Sequence, residues 1–101
     1  MEKDVEAYVR REVKKMGGKL LKWVCPGNDG VPDRIVLLPG GRIWFVELKT
    51  ETGRPTALQE HWQRVLSGLG FNVYILYGRQ EVEVFLEYVR EEVMCDEVHT
   101  A

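Results

Sequence analysis

Two strand-like segments joined by a three-residue turn constrain the fold of this chain most. They run Asp33-Arg-Ile-Val-Leu-Leu38 and Arg42-Ile-Trp-Phe-Val-Glu-Leu-Lys49, and both are rich in the β-branched and aromatic residues that strands favour. Pro39-Gly40-Gly41 between them has a tight-turn composition, which favours a hairpin of two directly paired antiparallel strands. The start of the first strand is therefore expected to lie beside the end of the second.

Three charged residues stand at that shared end of the hairpin: Asp33, Glu47 and Lys49. Side chains alternate along a strand, so Glu47 and Lys49 share a face and lie about 6.6 Å apart. Paired strands are about 4.8 Å apart, so the carboxylates of Asp33 and Glu47 can converge on one ion. Two carboxylates and an ammonium in so small a volume can hold a divalent metal against a phosphodiester and steady an attacking water.

The alternative is that these residues are ordinary polar groups on a solvated strand face. Glu47 and Lys49 lie in the most hydrophobic stretch of the chain, where charges are costly unless they have a partner or a ligand. Asn28-Asp29-Gly30-Val31 also forms a turn that delivers Asp33 to the mouth of the sheet. Both details favour a functional role for these charged residues over a solvated strand face.

Patterns of apolar residues and glycines predict a mixed sheet flanked by helices, in the order α-β-β-β-α-β-α. Around the hairpin, the predicted helices and strands are Glu2–Met16 (helix), Lys19–Val24 (strand), Thr56–Leu69 (helix), Phe71–Tyr77 (strand) and residues 80–93 (helix). We expect one domain over residues 1–93, followed by a frayed tail over residues 94–101.

The 101-residue chain has no run of eighteen apolar residues and begins with a charged segment, so we expect a protein without a membrane anchor that stays in the cytoplasm. Cys25 and Cys95, with His61 and His99, complete neither a zinc pattern nor a disulfide framework. Net charge is −2, but residues 1–55 carry eleven Lys/Arg against eight Asp/Glu, and residues 56–101 carry three against eight. This distribution allows DNA binding near the hairpin.

Three motifs in order resemble the VRR-NUC family of the PD-(D/E)xK nuclease superfamily. They are Gly30-Val-Pro-Asp-Arg34, Phe45-Val-Glu-Leu-Lys49-Thr, and Gly53-x-x-Thr56-x-x-Gln59-x-x-Trp62. The resemblance runs from the N-terminal helix to about residue 89 and implies a restriction-endonuclease-like α/β fold. It also implies a Mg²⁺- or Mn²⁺-dependent endonuclease of the small stand-alone type found in phages and bacteria.

The resemblance assigns a role to each matching position. Asp33 and Glu47 would ligate the metal, with the backbone carbonyl of Leu48 as a further ligand, and Lys49 would orient the water or stabilise charge on the phosphate. The superfamily's helix glutamate is most similar to Glu2, with Glu6 as the alternative. Gln59 matches a glutamine near the site, and it also fits a helix capping box with Thr56.

Substrate and assembly follow from the same resemblance. Small members of the family are similar to Holliday-junction resolvases, so the implied substrate is branched DNA, a four-way junction or a flap, cut by a homodimer in a bacterial or phage-infected cell. A non-specific or single-strand nuclease, and a catalytically silent DNA-binding or assembly module, are the alternatives. Arg34 could contact DNA or pair with a carboxylate. His61 is expected at the surface, and we expect core or dimer contacts from Trp23, Trp44 and Trp62.

Overall fold

A computed structural model describes residues 2–100, with side chains from residue 3 to residue 95. Four strands and three helices follow one another in the predicted order. The helices are α1 (Glu2–Lys15), α2 (Ala57–Gly68) and α3 (Gly78–Thr100), and the strands are β1 (Lys19–Lys22), β2 (Arg34–Leu38), β3 (Arg42–Lys49) and β4 (Asn72–Tyr77).

The strands form one mixed sheet in the order β1-β2-β3-β4. β1 pairs with β2 and β2 with β3 in antiparallel fashion, as the glycine-rich turn after β2 predicted. β4 returns through α2 and pairs parallel to β3. The predicted α/β restriction-endonuclease-like order, α-β-β-β-α-β-α, is confirmed. β1 and β4 are left as the two edges of the sheet.

Helices cover both faces of the sheet because successive strand residues point to opposite sides. On one face, α1 and α3 bury a large apolar cluster that includes Val9 and Val13 of α1, Val36 and Val46 of the sheet, and Leu86 of α3. On the other face, α2 contributes Leu66 to a smaller cluster with Phe45 and Val73. The hairpin β2–β3 is therefore held from both sides, and its open end is where the site must lie.

The last helix differs from the prediction in both of its ends. We expected it over residues 80–93, whereas α3 begins at Gly78 and continues to Thr100. Residues 79–100 contain neither glycine nor proline, so nothing in the sequence forces a stop after Val93. The boundary that we placed at residue 93 between the domain and a frayed tail stays a prediction.

The three tryptophans have different surroundings. Trp44 is buried and its ring meets that of Phe85, with 6.5 Å between centroids. Trp23 is half-buried against Phe45, at 5.1 Å, and Trp62 is half-buried beside the exposed His61. Trp44 and Trp23 are thus core contacts, and His61 lies at the surface as expected. Within the described residues, no helix is both long and apolar enough to cross a membrane.

Candidate active site

The hairpin register brings Asp33 and Glu47 together. Arg34 pairs with Val46 across the two strands. Asp33, which precedes Arg34, therefore lies beside Glu47, which follows Val46. The backbone N–H of Asp33 lies near the Glu47 carboxylate and lowers its pKa, and the Asp33 backbone carbonyl accepts a hydrogen bond from the Trp23 N–H at 2.8 Å. Asp33 is therefore fixed by its backbone between β1 and β3, although β2 itself begins one residue later than predicted.

Glu47 is a buried carboxylate, with 8 % of its surface exposed. Burial, followed by the nearby charge of Asp33, raises the pKa of Glu47 from 4.5 to about 7, against the opposing effects of Lys49 and Arg34. At neutral pH the ionised pair is therefore under electrostatic strain that a cation would relieve. A charge in this position has no structural benefit for the sheet, which favours a role in binding a ligand.

Asp33 presents an oxygen that the protein leaves unpaired. Its Oδ1 is inaccessible to solvent and has no hydrogen-bond partner, while its Oδ2 lies 3.2 Å from Nη1 of Arg34. An unpaired buried carboxylate oxygen beside a second carboxylate is a donor set that suits a hard divalent cation. The residues present therefore fit the Mg²⁺ or Mn²⁺ that the sequence led us to expect.

The acidic residues alone do not complete a metal site in the part of the chain described. No group of three or more His, Cys, Asp or Glu that could hold a metal occurs among the described residues. Among the described residues, the ligands beyond the two carboxylates would be backbone and water oxygens, in keeping with the prediction for the Leu48 carbonyl. The side chain of Glu2, the first-choice helix ligand, lies outside the described residues.

Lys49 ends β3 on the Glu47 side of the sheet. Its ammonium lowers the pKa of Glu47, which places the positive charge within electrostatic reach of the carboxylate pair. Lys49 also lines a pocket of about 220 Å³ with Asp4 of α1 and Arg79 of α3. The carboxylate pair and the lysine thus lie together at one end of the sheet, as the spacing predicted.

Arg34 connects the site to α1. Its Nη2 lies 2.7 Å from Oε2 of Glu6, and its Nη1 donates to the Asp33 carbonyl at 3.0 Å. The other oxygen of Glu6 receives Arg10 at 2.8 Å, and Arg10 also donates to the Leu20 carbonyl at 2.9 Å. Both arginines lower the pKa of Glu6.

This network places Glu6 as the partner of Arg34, because both of its oxygens are engaged. Sequence reasoning named both residues but did not pair them. The i,i+4 spacing of Glu6 and Arg10 was a readable signal. The contact with Arg34, 28 residues away, depends on how α1 crosses the sheet.

Gln59 takes part in the capping box at the start of α2. Its Oε1 accepts the Thr56 N–H at 2.9 Å, and its own N–H donates to Thr56 Oγ1 at 3.1 Å. The same helix turn packs against Gly30, which has φ +91°; a Cβ built there would lie 2.6 Å from Leu58 and 2.9 Å from the Gln59 nitrogen. Gln59 therefore has a structural role, and Gly30 brings the Asp33 loop against its helix.

Comparisons with known proteins agree with this geometry. No family model matches the sequence. The chain is similar to "Putative nuclease p44" of Acyrthosiphon pisum secondary endosymbiont phage 1, with 44% identity over 75 residues, which covers 74% of this chain and 81% of the relative. A solved structure of a "VRR_NUC domain" superposes with a TM-score of 0.79 and 32% identity, covering 85% of this chain and 94% of that one. The chain belongs to the VRR-NUC family, with the nuclease-like α/β fold of that family.

Proposed function

We propose that the chain is a metal-dependent endonuclease that hydrolyses phosphodiester bonds in branched DNA, with Asp33, Glu47 and Lys49 at its centre. The observation that carries the proposal is the buried carboxylate of Glu47 beside the unpaired Oδ1 of Asp33. Such a pair is unfavourable without a cation and well suited to one. The phage nuclease relative supports the same reaction class.

Each residue has a part in the proposed reaction. Asp33, Glu47 and the Leu48 carbonyl would hold Mg²⁺ or Mn²⁺, with the Glu2 side chain as a further ligand. An ion held there would supply a water of lowered pKa and would polarise the phosphate. The Lys49 ammonium offsets negative charge that builds on the phosphoryl oxygens. Glu6 and Arg34 hold Asp33 in place from the side of α1.

Metal binding can be tested apart from cleavage. Mg²⁺ at a hundredfold excess over its dissociation constant should raise the free energy of unfolding by about 2.7 kcal/mol, because it binds the folded state. Asp33→Ala should abolish this stabilisation, and Asp29→Ala, which removes an exposed carboxylate of the same loop, should keep it. Equal stabilisation of both variants would contradict the assigned ligand.

Cleavage assays decide the substrate. Labelled four-way junction and matched linear duplex are incubated with Mg²⁺, Mn²⁺ or EDTA, with Asp33→Ala beside the wild type. Paired, metal-dependent nicks on the junction alone support the proposal. Equal cutting of both DNAs, or preference for single strands, would replace junction specificity by a broader nuclease. Absence of cutting in every metal would favour a DNA-binding or assembly module.

The proposal includes a homodimer in the cytoplasm of a bacterial or phage-infected cell. Two copies provide two active sites for the two strands that a junction resolvase cuts. Exposed apolar side chains along β4 and α3, including Tyr74, Val84 and Tyr88, border a groove of about 610 Å³ and support association through that side. Sedimentation equilibrium of the purified protein tests the dimer.

A further inference from the structure

Four basic residues lie along α1 and the edge strand β1. Arg10 and Lys14 of α1 and Lys19 of β1 line a shallow groove of about 250 Å³ together with Gly18, Leu20 and Leu21. Lys22 ends the same strand. We call Arg10, Lys14, Lys19 and Lys22 the basic strip, and all four side chains are exposed.

The basic strip begins next to the candidate active site. Lys22 pairs with Arg34, the neighbour of Asp33, and the following residue, Trp23, donates its N–H to the Asp33 carbonyl at 2.8 Å. Lys19 lies three residues earlier, which is about 10 Å along the strand. The strip therefore extends away from the carboxylate pair by a length comparable to three nucleotide steps of duplex DNA, at 3.4 Å each.

The charges of the strip are largely uncompensated. Arg10 is paired with Glu6, but among the described residues Lys14, Lys19 and Lys22 make no ion pair. The acidic helix α3 packs beside α1 on the same face of the sheet but lies over the other edge strand, β4, and carries Glu81, Glu83, Glu87, Glu91 and Glu92. A polyanion approaching the carboxylate pair is thus attracted toward the β1 edge of the sheet and repelled from the β4 edge.

We infer that the basic strip binds the phosphate backbone of the DNA arm that flanks the scissile phosphate. This inference rests on the proposed function and adds to it the direction in which the bound DNA arm extends from the active site. Lysine contacts to phosphate position a duplex without reading its sequence.

Edge-strand lysines have another possible use, since they discourage pairing of exposed strand edges between molecules. That use accounts for Lys19 and Lys22 on β1. It does not account for Lys14, which lies on α1 across the groove from Lys19. The two explanations predict different behaviour on substitution.

The test compares two variants that each lose two positive charges. Lys14→Gln with Lys19→Gln alters the strip, and Lys15→Gln with Arg64→Gln alters exposed residues elsewhere. Binding of the whole protein to a linear duplex is measured by fluorescence anisotropy in EDTA across a series of KCl concentrations. Each lost phosphate contact lowers the slope of log affinity against log salt by about 0.9. The slope of the strip variant should therefore be lower by roughly 1.8, at 0.9 for each of the two lost contacts. The slope of the control should equal that of the wild type.

Two outcomes would overturn the inference. One is an unchanged slope in the strip variant, which together with self-association is what edge protection predicts. The other is an equal loss of slope in both variants. Cleavage by the wild type in Mg²⁺ separates this inference from the proposed function. If the wild type cuts DNA and the strip variant keeps its slope, only the strip assignment fails. If the wild type neither cuts nor binds DNA, the proposed function fails and the strip assignment falls with it.

Discussion

Glu47 is a carboxylate that folding moves out of water and beside a second carboxylate. Its pKa of about 7 lies above the value of 4.5 expected without burial, so the folded protein keeps this proton over a pH range where the unfolded chain has released it. Stability therefore decreases as pH rises from about 4.5 to 7, and the full loss persists at higher pH. A pKa difference of this size corresponds to roughly 3 kcal/mol in the free energy of unfolding.

Glu47→Gln should consequently stabilise the metal-free protein above pH 7, because the amide fills the same space and cannot ionise. The gain should approach about 3 kcal/mol at pH 8.5 and become small near pH 4.5, where the Glu47 carboxyl is protonated in the folded protein and about half protonated in the unfolded chain. Urea unfolding in EDTA at pH 5 and pH 8.5 measures it. A variant less stable than the wild type at pH 8.5 would mean that the charge of Glu47 stabilises the fold.

Arg34 is expected to act through Asp33 rather than on the phosphate. Arg34→Gln removes the contacts with the Asp33 carboxylate and with Glu6, and partners of metal ligands typically change metal affinity or activity by about 10- to 100-fold. Arg34→Lys keeps the charge but not the planar fork, so it should restore part of the loss. The apparent affinity for Mg²⁺, taken from cleavage rates, is the measurement.

Substitution of Glu6 distinguishes a positioning role for this residue from a direct role in metal binding. If Glu6 holds Arg34, Glu6→Gln should lower activity in the wild type and change it little in the Arg34→Gln background. If the activity losses of the two single variants instead add in the double variant, Glu6 acts as an independent metal ligand. Arg90→Gln, which removes an arginine paired with Glu12 far from the site, serves as the control and should keep wild-type activity.

At the scale of secondary structure, the loop before β2 is held against α2 by Gly30. Alanine there would face two difficulties, a positive φ and a Cβ that meets the backbone of Leu58 and Gln59. Gly27, in the same loop, has φ +84° but no atom within 4 Å of its Cβ position. Gly27→Ala should therefore cost only about 1–2 kcal/mol for the left-handed backbone.

Gly30→Ala should cost clearly more than Gly27→Ala, because the clash is with backbone that cannot rotate away. Its activity should also fall, since the shifted loop carries Asp33. Thermal unfolding of both variants, with cleavage assays beside it, measures the two effects. Equal costs would show that the close approach of the loop to α2 contributes nothing.

The features that the sequence predicted correctly are those specified by residues close together in the chain. The bounds of β3 match the predicted strand, Arg42–Lys49, since a glycine turn precedes it and a polar loop follows. The capping box of Thr56 and Gln59 was also readable, as it depends on two side chains three residues apart. Asp33 and Glu47 meet because hairpin register follows from the turn.

Contacts made by packing were not predictable in the same way. The pairing of Glu6 with Arg34 depends on the angle at which α1 crosses the sheet, which no short window of residues encodes. The end of α3 was misplaced for a different reason, since no glycine or proline after residue 93 marks where the helix stops. The catalytic role of the site also stays a prediction, because the fold brings these residues together without showing what they bind.

At the scale of the whole molecule, the proposed homodimer predicts how two sites share one substrate. A dimer containing one wild-type chain and one Glu47→Gln chain retains a single competent site. On a supercoiled plasmid with an extruded cruciform, the wild type should make two cuts while bound and give linear product. The mixed dimer should make one cut and give nicked circles, because nicking relaxes the supercoiling and the junction is reabsorbed. Mixtures prepared by co-expression with two affinity tags, resolved on agarose gels, make the measurement. Linear product from the mixed dimer at the wild-type rate would mean that one subunit cuts both strands, and the requirement for two sites would be lost.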